Sequence, residues 1–243
     1  MTGGQGLGKA PSAAHEQVTL RDGADEVVVS VLAGHEPRWT VLFAAGAGGS
    51  PLRHLPLLTT LATAGCHVVA PHFPRLSSPT PGIEELAMRT RWLRLALNRA
   101  PEHLPVAGIG HSIGGALLLG LAGGDLWTIS RDCLRAQPAA RPLAKLVLFT
   151  PALQFLQAPH AVDAIQLPIQ AWAASEDRIT PPSQVDWLAA ALAPRMPVQT
   201  HLAQGAGHFS FMDELPPHVT DPHPDRPAFL GEVAAQVTRF ILA

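Results

Sequence analysis

The chain is 243 residues long, carries a formal net charge of −2, and is 47% hydrophobic but only 15% charged. That length accommodates one α/β domain with a sizeable core, and a near-neutral charge without a lysine or arginine cluster speaks against nucleic acid as a partner. Cys66 and Cys133 cannot build a disulfide framework, the opening Met-Thr-Gly-Gly-Gln-Gly-Leu-Gly-Lys lacks the apolar stretch of a secretory signal, and the longest apolar run, residues 113–122, is too short to cross a bilayer. A cytoplasmic protein without a membrane span is therefore expected.

Residues 1–15 are rich in Gly, Ala and Ser without periodicity, which predicts a disordered leader and leaves residues 16–243 as a single domain. Residues 17–20 and 26–33 are β-type runs separated by the hairpin signal Asp22-Gly23. Residues 39–45 are apolar almost throughout, as a strand covered on both faces should be, and end at Gly46-Ala47-Gly48-Gly49-Ser50. A helix follows, with Leu55, Leu58, Leu61 and Ala62 at helical spacing and Gly65 at its end; then comes a strand over residues 66–70, stopped by Pro71. Residues 83–99 place Ile83, Leu86, Thr90, Leu93 and Leu97 on one helical face, with Glu84 and Glu85 at the start; Arg89, Arg91, Arg94 and Arg99 read as its solvated side.

The next strand starts at Val106 and gives way to a helical run over residues 116–122. Residues 144–149, 168–174 and 198–202 read as three more strands. Val185, Leu188 and Leu192 mark one intervening helix, and Phe229, Val233, Val237 and Phe240 mark a C-terminal one that starts after Asp225-Arg226-Pro227. Strand and helix alternating in this way predict an α/β fold, a mostly parallel sheet with helices on both faces and its working edge at the strand C-termini. Residues 151–167, which join two late strands, leave room for a minimal cap only.

The chemistry centres on Gly110-His111-Ser112-Ile113-Gly114, where an apolar strand turns at a serine into a helix. Small residues on either side let strand and helix pass closely, the strained turn lifts the hydroxyl clear of the sheet, and the helix N-terminus favours negative charge. A serine hydroxyl needs a base, and the base an orienting acid. The strand over residues 168–174 runs into Ser175-Glu176-Asp177, and the last strand runs into Gly205-Ala206-Gly207-His208-Phe209, so the order serine, acid, histidine is the one used by an elbow-type hydrolase. Asp177 is the expected acid and His208 the expected base; Glu176 is the alternative acid, with Asp163 and Asp186 behind it. His111 reads as packing or hydrogen-bonded structure.

The oxyanion of a tetrahedral intermediate needs preset N–H donors. Ile113 is one expected donor; Ala47 is the other, with Gly46 or Gly48 as alternatives in the same glycine-rich loop. That loop lacks the Lys-Ser or Lys-Thr pair of a phosphate-binding turn. Phe209, Phe211 and Met212 directly follow His208 and are expected to form an apolar substrate wall. His67 with His72, and His218 with Asp221, His223 and Asp225, lack recognised metal-ligand spacing, so neither a metal nor another cofactor is expected.

On these residues the chain, from about residue 17 onward, resembles the α/β-hydrolase superfamily. Its short cap and the segments Gly110-His111-Ser112-Ile113-Gly114-Gly115 and Gly205-Ala206-Gly207-His208-Phe209 are similar to dienelactone hydrolase and platelet-activating-factor acetylhydrolase-like esterases. It departs from them in two places: dienelactone hydrolases carry cysteine where Ser112 stands, and many relatives have His-Gly where this chain has Ala45-Gly46. The expected activity is hydrolysis of a small carboxylic ester through an acyl-enzyme on Ser112. Thioester or lactone hydrolysis by the same triad, or a non-catalytic scaffold that binds a small ligand or a protein partner, are the alternatives.

Overall fold

The computed structural model describes residues 14–135 and 140–243. β1 (Ala14–Asp22) and β2 (Asp25–Ala33) form the hairpin predicted around Gly23, whose φ of +62° suits a residue without Cβ. β1 begins at Ala14, so two residues expected in the leader belong to a strand; residues 1–13 lie outside the described residues. β3 (Trp39–Ala44), β4 (Cys66–Pro71), β5 (Val106–His111), β8 (Leu143–Phe149), β9 (Ile169–Ala174) and β10 (Val198–Ala203) complete an eight-stranded sheet in the order β1-β2-β4-β3-β5-β8-β9-β10. Its pairs are parallel except β1 with β2 and β2 with β4.

The central strands are apolar because both faces are covered. Val41, Leu42 and Phe43 in β3, Val68 and Val69 in β4, and Leu146, Val147 and Leu148 in β8 have no exposed surface. Helix α1 (Leu55–Thr63) packs with α5 (Arg226–Leu242), and α2 (Ile83–Leu97) packs with α3 (Ile113–Leu121), while α4 (Ser183–Leu192) lies against β9 and β10. The α5 start follows the predicted logic: Pro227 sits in the first turn, and the Asp225 side chain accepts the Ala228 amide at 3.2 Å.

Three features differ from the sequence reading. The elbow helix starts at Ile113, directly after Ser112, because the glycines that weaken a helix in isolation are here required by close packing. A two-residue hairpin, β6 (Leu126–Trp127) with β7 (Cys133–Leu134), is too short to leave an alternating pattern. Arg89 is not on a solvated face: it is fully buried, whereas Arg91 on the same helix is exposed and pairs with Asp22 at 3.1 Å.

Candidate active site

Ser112 joins β5 to α3 at φ 55° and ψ −123°, a backbone conformation rare for a residue with a side chain. The surroundings over-determine it. Its amide donates to the Phe149 carbonyl at 2.9 Å, and its carbonyl accepts from Ala152 at 3.0 Å. A Cβ on Gly110 would stand 2.6 Å from the Gly115 nitrogen, and one on Gly114 would stand 2.1 Å from the Ala44 carbonyl oxygen. The strand-helix crossing is thus possible only with glycine at both positions.

The loops after β9 and β10 carry Asp177 and His208, and backbone bonds stitch them together. Ser175 donates to Ala203 at 3.0 Å, and Glu176 donates to Ala206 at 2.8 Å. His208 Nδ1 donates to Asp177 Oδ2 at 2.7 Å, in a pair whose side chains are nearly sealed from solvent. Asp177 Oδ1 accepts the amides of Ile179 at 2.7 Å and Thr180 at 2.9 Å. Asp177 therefore both caps the local turn and holds the imidazole. Burial by itself would raise its pKa, but hydrogen bonds from His208 and Thr180 outweigh that effect and hold the carboxyl below its ordinary range. Glu176 is exposed and faces no such partner.

Thr180, which the sequence reading did not single out, completes this corner. Its hydroxyl lies 2.8 Å from Asp177 Oδ2, 3.0 Å from His208 Nδ1 and 3.0 Å from the Thr150 carbonyl. Its position three residues after the acid was the available signal. With Nδ1 carrying the proton toward Asp177, Nε2 of His208 is left as a lone-pair base. Among the described residues no hydrogen bond joins Ser112 Oγ to that ring.

His111 ties the strand that leads into Ser112 to the His208 loop: its Nε2 donates to the His208 carbonyl at 2.9 Å. His54 donates through Nδ1 to the Phe211 carbonyl at 3.1 Å, and the His54, His111 and His208 rings follow one another at 5.4 and 5.0 Å. Burial drives the His54 pKa down to about 4 and that of His111 well below the ordinary value, so both rings are neutral at pH 7.

Ala47 and Gly48 are exposed at the end of β3, and Ile113 stands at the first turn of α3. The Ala47 amide has no acceptor among the described residues, while its carbonyl accepts from Leu76 at 2.9 Å. Of the expected substrate wall, only Phe209 reaches a surface. It borders a cavity of about 380 Å³ together with His208, Ile179, Arg178 and Val219. Phe211 does not: it is 1% exposed, stacks on Phe149 at 5.1 Å and meets Phe229 edge-on at 5.3 Å. Met212 is likewise buried. The loop turns inward after Phe209 through successive turns, closed by Ser210 on the Gly207 carbonyl and Met212 on the Phe209 carbonyl, which carry the bulky apolar residues to the core.

Among the described residues no cluster of three or more His, Cys, Asp or Glu side chains is arranged to hold a metal, and no helix is long and apolar enough to cross a membrane. His72 pairs with Ser30 at 2.9 Å, and Asp221 accepts from Ser210 at 2.6 Å.

No protein-family model and no curated protein matches the sequence. Solved structures do match in shape. Dienelactone hydrolase from Anabaena variabilis superposes with a TM-score of 0.64 at 17% identity, over 96% of this chain and 98% of its own. An α/β hydrolase from a Medee basin deep-sea metagenome library gives 0.68 at 16% identity, over 95% and 98%. Esterase 2 of Thermogutta terrifontis, in a form phosphorylated by paraoxon, gives 0.64 at 17% identity, over 94% of each chain. With a mostly parallel eight-stranded sheet, an elbow after its fifth strand and these neighbours over nearly its whole length, the chain has the α/β-hydrolase fold.

Proposed function

We propose that the chain is a serine hydrolase of small carboxylic esters, with Ser112 as nucleophile, His208 as general base and Asp177 as its orienting acid. The buried Asp177–His208 pair, on the two loops that follow β9 and β10 and tied to the elbow strand through His111, carries this reading. A buried ion-forming pair at the rim of a fold that also strains a serine is hard to account for by stability alone. That a structural neighbour is an esterase found phosphorylated by paraoxon fits the same chemistry.

In this mechanism a small movement of the serine side chain or the imidazole on substrate binding brings Oγ to Nε2. His208 takes the Ser112 proton as Oγ bonds to the acyl carbon, and the carbonyl electron pair moves to oxygen. The resulting oxyanion meets the Ile113 and Ala47 amides. His208 returns the proton to the departing alkoxide, and water, deprotonated by the same base, releases the acid and regenerates the serine. Asp177 keeps Nδ1 protonated and stabilises the imidazolium that forms twice per turnover. No cofactor enters the cycle.

A fluorophosphonate probe tests the reading directly. The wild type should label at Ser112, labelling should vanish in Ser112→Ala, and it should slow by roughly 10³-fold or more in His208→Ala. A folded wild type that takes no label would instead support a ligand-binding scaffold. Hydrolysis of p-nitrophenyl esters of increasing acyl length, beside thioesters and lactones, then separates the leaving-group classes.

A further inference from the structure

Arg89 is a charged group in an unlikely place. It sits on α2 between Leu86 and Leu93, fully buried, and among the described residues no carboxylate comes within 4.0 Å of its guanidinium. Glu85, one turn earlier, supplies only a longer-range attraction; burial lowers the Arg89 pKa to about 10, which leaves it charged at neutral pH. Removing a cation from water without a counter-ion is costly, so the contacts that replace water must offset that cost.

All of them converge on one place. Nη1 donates to the Gly46 carbonyl at 3.4 Å, as a second donor beside the Gly49 amide at 3.0 Å, Nη2 donates to the Pro74 carbonyl at 2.5 Å, and the guanidinium lies 4.9 Å from the centre of the Phe73 ring. The segments so clamped are also bound to each other: Phe73 donates to the Gly49 carbonyl and Leu76 to the Ala47 carbonyl, both at 2.9 Å. The Gly46 carbonyl and the Ala47 N–H belong to one trans peptide, so they point in opposite directions. A donor that grips the carbonyl from the helix side turns the N–H away from the helix, and it polarises that N–H as a chain of hydrogen bonds does.

We propose that Arg89 is a positioning residue for the oxyanion site: its buried guanidinium holds the Gly46–Ala47 peptide by the carbonyl and aims the Ala47 N–H at the oxygen that becomes negative during ester cleavage. This rests on the serine-hydrolase reading above, and it selects Ala47 over Gly46 and Gly48 as the first oxyanion donor. The positive charge behind the peptide adds a favourable field at the same point.

Two variants test it. Arg89→Lys keeps the charge but is a point donor that cannot span two carbonyls, and Arg89→Met removes the charge at similar length. Active sites are counted by fluorophosphonate titration carried to completion, and thermal melts identify the folded proteins; should Arg89→Met not fold, Arg89→Lys decides. In each folded variant kcat per titrated site is expected to fall roughly 10²-fold, with KM for short esters changing less than about threefold. Affinity for a trifluoromethyl ketone that adds to Ser112 should fall in proportion to kcat/KM. A purely structural role gives fewer titratable sites with normal kcat per site; that result, or unchanged ketone affinity, overturns the assignment. A wild type that takes no probe at Ser112 overturns the hydrolase reading together with this role, whereas an active wild type with indifferent Arg89 variants overturns this role alone.

Discussion

Two glycine-rich turns face each other across the candidate site; contact alone fixes one, and contact together with distant polar groups fixes the other. The elbow around Ser112 is fixed by contact: Gly110 and Gly114 leave no space for a methyl group, and the neighbouring atoms are backbone. The turn after β3 adds polar bonds to contact: a Cβ on Gly49, at φ +82°, would stand 2.0 Å from the Phe73 carbonyl oxygen, and the Gly49 amide donates to the Gly46 carbonyl at 3.0 Å. At Gly48 nothing lies within 4 Å of an added Cβ, and there the turn is held from outside by Arg89 on α2 and by Leu76 and Phe73 in the segment after β4. Its downstream end, the 3-10 turn Pro51–His54, is anchored by the buried His54 ring on the Phe211 carbonyl. Steric fixation is indifferent to pH. Fixation by distant polar groups needs the whole fold, and it can titrate.

The sharpest way to break this contrast is at Gly114. Gly114→Ala forces a carbon to 2.1 Å from a backbone oxygen of β3, which has no rotamer to escape into. It should cost at least about 3 kcal/mol in urea unfolding and abolish probe labelling. A variant within about 1 kcal/mol of the wild type would show that the elbow is held otherwise than by contact.

The second test concerns the titrating side. His54 is neutral when folded because burial lowers its pKa from 6.5 to about 4. Between those values the unfolded chain binds a proton that the folded chain refuses. Its contribution is therefore fully present above pH 6.5 and is lost as pH falls toward 4. His54→Asn keeps a donor for Phe211 but does not titrate, so its unfolding free energy should decline less steeply over this window, by up to about 1.4 kcal/mol per pH unit. Parallel curves for variant and wild type would place the acid sensitivity elsewhere. The smallest effect is expected at Gly48, whose replacement by alanine should change stability by no more than about 0.5 kcal/mol, because its φ is not positive and the space is open. A larger loss would mean that position 48 is as sterically constrained as Gly49 and Gly114.

The same division explains what could be read from the sequence. The elbow, Asp177 and His208 were legible because each combines a strand end with a local residue pattern. Asp177 rather than Glu176 became distinct only in the fold, where one carboxylate is buried against the imidazole and the other faces solvent. Arg89 was misread because charge was weighed above spacing; three residues after Leu86 and four before Leu93, it falls inside the apolar stripe of α2. Phe211 was assigned to a substrate wall because it follows His208 closely in sequence, but the chain reverses between them at the Gly207–Ser210 turn, where Ser210 donates its amide to the Gly207 carbonyl at 3.1 Å. Thr180 gave only a weak signal, since a threonine after an aspartate is a common turn residue.

The contact between Gly114 and the Ala44 carbonyl has a consequence for how such a site can diversify. It locks the start of α3 to the end of β3, so the amides of Ile113 and Ala47, the donors proposed for the oxyanion, are mounted on the two arms of a caliper whose span is set by backbone contact. On the proposed mechanism, variation in what the site accepts comes from neighbouring side chains that can change size, such as Phe209 and the exposed Ile179, while the caliper keeps one setting.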